Sequence, residues 1–147
     1  MVKNIKNIEF KEKTTITFHK PCHLENVDFL KELLKKSKNV EYIEMNEFDK
    51  CCGFSGEFAI KNPILSAEIS KKKAKNALTT NSDYILTSCP ACKLGLTQGL
   101  IENKEFILVL NLVEFIAMGK IEEFNSFSIN PPLRALAKQS FSSLPVK

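Results

Sequence analysis

A chain of 147 residues, 44% hydrophobic and 26% charged, has the length and balance of one ordinary globular domain. Its net charge of +4 is modest, and no interleaving of basic with aromatic residues supports nucleic-acid binding. No run approaches eighteen apolar residues, so no membrane span is expected, and the start Met1-Val-Lys-Asn-Ile-Lys lacks the apolar stretch of an export signal; a cytoplasmic location is expected.

In chain order, Thr14–Phe18 is β-branched and aromatic and predicts a strand, which ends at His19-Lys-Pro-Cys-His23, where Pro21 breaks the ladder. Val27, Leu30, Leu33 and Leu34 recur at helical spacing, with Lys31, Glu32, Lys35 and Lys36 outward. Val40–Met45 predicts a second strand, running into Cys51-Cys-Gly-Phe-Ser-Gly56. Gly53 and Gly56 suit a loop whose backbone takes positive φ or approaches a bulky ligand. Asn62 is placed to cap a helix with Pro63 at its first position, and Leu65, Ile69, Ala74, Ala77 and Leu78 are expected to face inward. Lys71-Lys-Lys-Ala-Lys75 reads as the solvated face of that helix.

Asp83–Thr87 predicts a third strand, landing on Ser88-Cys-Pro-Ala-Cys92, with a helix from near Pro90 carrying Leu94, Leu96, Leu100 and Ile101. Glu105–Leu110 predicts a fourth strand and Leu112–Met118 a short helix. Residues 1–120 therefore read as one domain. From Ile121 the apolar residues lose any period, and 121–147 are expected to form a C-terminal extension, packed or partly frayed.

Strands alternating with helices imply an α/β fold of three layers, a mostly parallel sheet of about four strands with helices on both faces. Each cysteine group follows a predicted strand, and in such sheets the loops at the carboxyl ends form the ligand crevice. Cys22, Cys51, Cys52, Cys89 and Cys92 are thus candidate ligands of one metal site. Neighbouring Cys51 and Cys52 are poor disulfide partners, since adjacent Cα atoms lie about 3.8 Å apart. Cys89 and Cys92, at a helix start, are expected to gain thiolate stabilisation. Three uses of the thiols stand open: an iron–sulfur cluster, a Cys₄ zinc site that leaves one thiol over, or a dithiol at Cys89-Pro-Ala-Cys92 that leaves three idle. His19 and His23 flank Cys22 and are expected to pack beside the ligands; Asp49 and Lys50 fit a surface turn.

A lone cysteine, 28 residues, Cys-Cys-Gly, 35 residues, then Cys-x-x-Cys resembles the CCG cysteine-rich domain. That domain occurs in heterodisulfide reductase and in the iron–sulfur components of glycolate, lactate and anaerobic glycerol-3-phosphate oxidising complexes. The resemblance covers about residues 14–117. It implies an iron–sulfur cluster on all five cysteines, a noncubane [4Fe–4S] cluster in the best-understood members, with zinc as the alternative. Family members usually carry two such cysteine sets, often after a ferredoxin-like segment, whereas this chain has one set, as a lone C-terminal domain would. The implied function is electron transfer within a flavin-linked 2-hydroxy-acid (glycolate or lactate) oxidising complex. Its partners would be a flavoprotein oxidase and other iron–sulfur subunits, with any membrane association peripheral and through them. Thiol/disulfide reduction like that of heterodisulfide reductase, or a zinc-stabilised interaction domain, are the alternatives. There is no Gly-x-Gly-x-x-Gly motif for a dinucleotide.

Overall fold

The computed structural model describes residues 8–121. Its elements run β1 (Ile8–His19), α1 (Asp28–Lys36), β2 (Lys38–Tyr42), α2 (Gly56–Lys61), α3 (Pro63–Leu78), β3 (Tyr84–Thr87), α4 (Pro90–Glu102), β4 (Leu108–Asn111), α5 (Leu112–Met118) and β5 (Lys120–Ile121). Four strands are mutually parallel in the order β2-β1-β3-β4, and β5 adds an antiparallel pair at the start of β1. The three-layer, mostly parallel architecture expected from the alternation is the one formed. Residues 122–147, the bulk of the expected extension, lie outside the described residues.

Alternation along β1 sorts its side chains between two cores. Ile8, Phe10, Ile16 and Phe18 join Leu30, Leu33 and Leu34 of α1 and Phe115 and Ile116 of α5 on one face. The Phe10 and Phe115 rings stack there with centroids 4.6 Å apart. On the opposite face Ile85 and Val109 pack with Ala74 and Ala77 of α3 and Leu96 and Leu100 of α4. Thr17 and His19, which alternate with Ile16 and Phe18, fall on this second face and are fully buried.

The expected elements shift in five places, the simplest being β4, expected over Glu105–Leu110 and formed over Leu108–Asn111. β1 starts six residues earlier than expected, because Ile8 and Phe10 are buried while Glu9 and Lys11 point out, a half-buried strand pattern diluted by charge. β2 ends at Tyr42 instead of Met45; Ile43 still donates to the Ile16 carbonyl (2.9 Å), after which the chain turns away towards the cysteines. α2 lies where only a loop was expected. It buries none of its residues, so no apolar period announced it. The break between α2 and α3 sits at Asn62 (φ −131°, ψ 59°), since the following proline disfavours the helical conformation there. Pro63 does open α3, but the Asn62 side chain makes no capping bond.

α3 also turns a different face inward. Leu65 is 53% exposed, whereas Ser66, Ser70, Lys73, Ala74 and Ala77 are buried. The reason is the closeness of α4. A Cβ on Gly99 would stand 2.1 Å from the Ser70 carbonyl oxygen and 2.9 Å from Ala74 Cβ, so only small side chains fit the crossing. α5 follows β4 directly and starts with a capping box: Asn111 Oδ1 accepts from Val113 N–H (3.1 Å), and Glu114 accepts from Asn111 N–H (2.6 Å).

Candidate metal centre

The strand order reverses between β1 and β3, since the chain passes from β1 outward to β2 and then returns to β3 on β1's other side. Ligands in open parallel sheets bind beyond the carboxyl ends of the strands at such a point. His19 and Thr87, the last residues of these two strands, are direct neighbours across the ladder. The cysteine loops converge on this end.

The Cys-Cys-Gly loop is fixed from several sides. Lys20 N–H donates to the Phe48 carbonyl (3.0 Å), which ties the approach to the loop against the end of β1. The turn at Glu47, a non-glycine residue at φ 52°, is closed by Lys50 N–H on the Glu47 carbonyl (3.0 Å). The Glu47 carboxylate takes Lys72 (3.0 Å) and Asn76 (3.0 Å) of α3. Two α3 hydroxyls then hold the loop's backbone: Ser70 donates to the Cys52 carbonyl and Ser66 to the Gly53 carbonyl, each at 2.8 Å. Gly53 has φ +77°, and a Cβ there would lie 2.8 Å from Ile69 Cβ, so both conformation and space require glycine.

The sulfurs divide by exposure. Cys52 (3%) and Cys92 (5%) are buried, Cys89 is partly buried, and Cys22 and Cys51 are exposed. Cys51 Sγ accepts from Gly53 N–H at 3.3 Å. Cys22 stands with His23, also exposed, in the turn closed by Leu24 N–H on the Pro21 carbonyl (3.0 Å). Cys89 occupies the N-cap position of α4 and Cys92 its first turn.

What the fold brings together most tightly is Cys52, Cys92 and His19. One ligand atom from each lies within 4.8 Å of the other two, and all three residues are buried. His19 is the member that sequence reasoning set aside as packing. It is wholly buried, and neither ring nitrogen has a hydrogen-bond partner. Each unsatisfied buried polar group costs about 1–3 kcal/mol. The signal that could have found it is the alternation Thr15, Thr17, His19, a polar stripe on the strand face that α3 and α4 cover.

The two buried thiols meet in a hydrogen bond, and their acidities move apart. A hydrogen bond from Cys92, together with His19 and the Phe54 N–H, brings the Cys52 thiol down to about 4 against the opposing effect of burial. Cys92 moves the other way, upward, because it bonds to that thiolate, is buried and feels the charges on Cys52 and Cys89. The expected helix-terminus stabilisation of a Cys92 thiolate is thus outweighed by the anion beside it. A cation placed between them would reverse this balance and displace the proton. Soft sulfur donors with one imidazole suit iron of an iron–sulfur cluster or zinc, and suit hard cations poorly. The residues fit such a group.

Lys73 corrects the reading of the lysine run. It is only 3% exposed, its ammonium donates to the Glu47 carbonyl, and it lies in the field of Asp49, Cys51 and Cys52. The run therefore has one inward member, placed seven residues after Ser66 on the same helical stripe. Burial pushes the Lys73 amine from 10.5 down to about 8. Between those values the unfolded chain holds more protons than the folded one, so stability rises with pH across the window. In metal-free protein the wild type should therefore gain about 3 kcal/mol of unfolding free energy over Lys73→Met between pH 8 and 10.5, at 1.36 kcal/mol per unit. Denaturant titrations of the two proteins across that range check it, and a constant difference would contradict the buried charge.

These features define a cysteine-rich domain that gathers buried sulfur and imidazole groups at the switch point of a parallel sheet. Residues 16–97 match the cysteine-rich domain CCG, and the chain belongs to that family. It is 34% identical over 110 residues to a dihydromethanophenazine:CoB–CoM heterodisulfide reductase subunit of Methanosarcina barkeri, covering 70% of this chain and 27% of that protein. Lactate utilization protein A of Oceanobacillus iheyensis is 28% identical over 108 residues, 71% of this chain and 44% of the relative. An uncharacterized iron-sulfur protein of Methanococcus maripaludis is 32% identical over 112 residues, 69% of this chain and 23% of the relative. The chain spans less than half the length of these relatives. Among the described residues no helix is long and apolar enough to cross a membrane.

Proposed function

We propose that this chain is the iron–sulfur redox module of a multi-subunit oxidoreductase, with Cys22, Cys51, Cys52, Cys89 and Cys92 as the cluster's thiolate ligands. The observation that carries the reading is the buried Cys52–Cys92–His19 convergence at the carboxyl ends of β1 and β3. Cys89 adjoins Cys92 there, while Cys22 and Cys51 are exposed and complete the proposed set. A bound cluster, [4Fe–4S] in the proposal, supplies reversible electron transfer.

The chain's own residues do the rest. Ser66 and Ser70 fix the loop backbone, α3 and α4 exclude water from Cys52 and Cys92, and Lys73 sets a positive charge against the thiolates. In the preferred reading a flavoprotein subunit delivers electrons from a 2-hydroxy acid, lactate or glycolate, and the module passes them towards a quinone or another carrier. The name of the Oceanobacillus relative supports a lactate connection. The higher identity to a heterodisulfide reductase component supports the second reading, thiol/disulfide reduction at the site.

Anaerobically purified protein should contain iron and acid-labile sulfide. Cys22→Ser is the informative variant. A cluster that needs five thiolates loses its iron and sulfide, whereas a zinc site on Cys51, Cys52, Cys89 and Cys92 keeps its metal. Full iron and sulfide in Cys22→Ser would remove Cys22 from the ligand set. Zinc without sulfide in the wild type would replace the redox reading with a zinc-stabilised domain.

A further inference from the structure

We propose that the His19 imidazole is itself a ligand of the metal group, forming a mixed sulfur–nitrogen corner with Cys52 and Cys92. This rests on the metal-site reading above but departs from an all-thiolate ligand set. Three observations carry it. The ring is fully buried at the end of β1, so no solvent satisfies it. Neither of its nitrogens has an oxygen or nitrogen partner, and the group it meets is the Cys52 sulfur. A donor nitrogen lies within 4.8 Å of both sulfurs, and those sulfurs lie equally close to one another. Metal–sulfur bonds of about 2.3 Å and metal–nitrogen bonds of about 2.0–2.1 Å bring such donors round a single metal atom with only slight movement. A histidine present only as packing would not need its polar atoms turned into a thiol pair.

A ligating histidine almost always donates its far N–H to an oxygen, which fixes the ring's orientation. Thr17 Oγ1, two residues back on the same strand face, is the third buried side-chain polar atom without a partner among the described residues.

The chain has two histidines, so the test can be made specific. The full-length protein is produced with ring-¹⁵N histidine, reconstituted anaerobically with iron and sulfide, and brought to its paramagnetic state. Pulsed electron–nuclear double resonance should show a strongly coupled nitrogen that changes from the ¹⁴N to the ¹⁵N pattern on labelling. The coupling should survive in His23→Asn, where His19 is the remaining histidine. Iron and sulfide at full occupancy with no such coupling would overturn the inference and leave the iron–sulfur reading intact. Protein that takes up no iron is loaded with ¹¹³Cd²⁺ instead. There, ¹⁵N–¹¹³Cd coupling to His19 supports ligation and its absence overturns it, while the iron–sulfur reading falls in either case. Failure to hold either metal overturns both. His19→Leu and His19→Cys give a second readout. His19→Leu should fold at least as well as wild type without metal yet retain metal at least tenfold less well, and His19→Cys, which restores a donor, should recover most of it. Equal retention in His19→Leu and wild type would also overturn the inference.

Discussion

Cys52→Ser should lower bound metal by more than about tenfold while leaving the fold in place. Serine puts a hard, protonated hydroxyl where the structure holds a buried sulfur beside Cys92 and His19, one whose acidity the hydrogen bond from Cys92 raises. Even groups that merely orient a ligand are worth 10–100-fold in affinity, so loss of a ligand should exceed the lower bound. The fold should survive because the contact holding this residue is its carbonyl, which accepts from Ser70 and remains available in the variant. A buried hydroxyl costs about 1–3 kcal/mol, so the metal-free melting temperature should fall by about 2–12 °C. Metal analysis and thermal unfolding of the same preparation separate the two effects. Wild-type metal content in the variant would show that Cys52 is not a ligand.

Gly99→Ala should do the opposite: it damages the fold first and the site as a consequence. In an open helix the change would stabilise by about 1 kcal/mol. Here the new methyl would stand 2.1 Å from the Ser70 carbonyl oxygen, so α3 and α4 must separate. Overpacking of this kind costs about 1–3 kcal/mol and occasionally more; with a backbone carbonyl as the clashing group the upper end applies, which leaves a net loss of up to about 2 kcal/mol and a melting temperature lower by up to about 4–8 °C. Ser70 moves with α3, and its hydroxyl carries the Cys52 carbonyl, so metal retention should drop as well. Gly56→Ala is the control, because a Cβ there meets nothing within 4 Å. Its stability should stay within about 0.5 kcal/mol of wild type, as for surface positions away from special contacts. Equal stability of the two variants would refute the close crossing of α3 and α4.

The order of strands and helices could be read from the chain because each element carries its own local pattern. The cysteine groups were legible for the same reason: each follows a strand, and parallel strands end on one side. What stayed hidden depends on contacts between distant segments. Ser66, Ser70 and Lys73 look like ordinary polar residues of a surface helix, and only the loop carbonyls they meet explain why they point inward. α2 buries nothing and so leaves no period to read. The first half of β1 is a charged alternating segment whose burial rests on β5 and α5, elements about a hundred positions away. His19 was visible, but its isolation from every hydrogen-bond partner is a property of the packed interior alone.

The division of β1 between its two faces has a consequence for how the protein can fail. Ile16 and Phe18 serve the aromatic core, while Thr17 and His19, interleaved with them, serve the metal side. A slip of this strand by one residue would exchange the two sets at a stroke. Imidazole and hydroxyl would enter the core around Phe115, and apolar side chains would plug the space between the sulfurs. A misregistered chain therefore loses its hydrophobic anchor at the same moment as its metal seat. Errors at this strand are thus all-or-none: a molecule with the wrong frame is too unstable to persist as a folded protein with a disordered cysteine crevice.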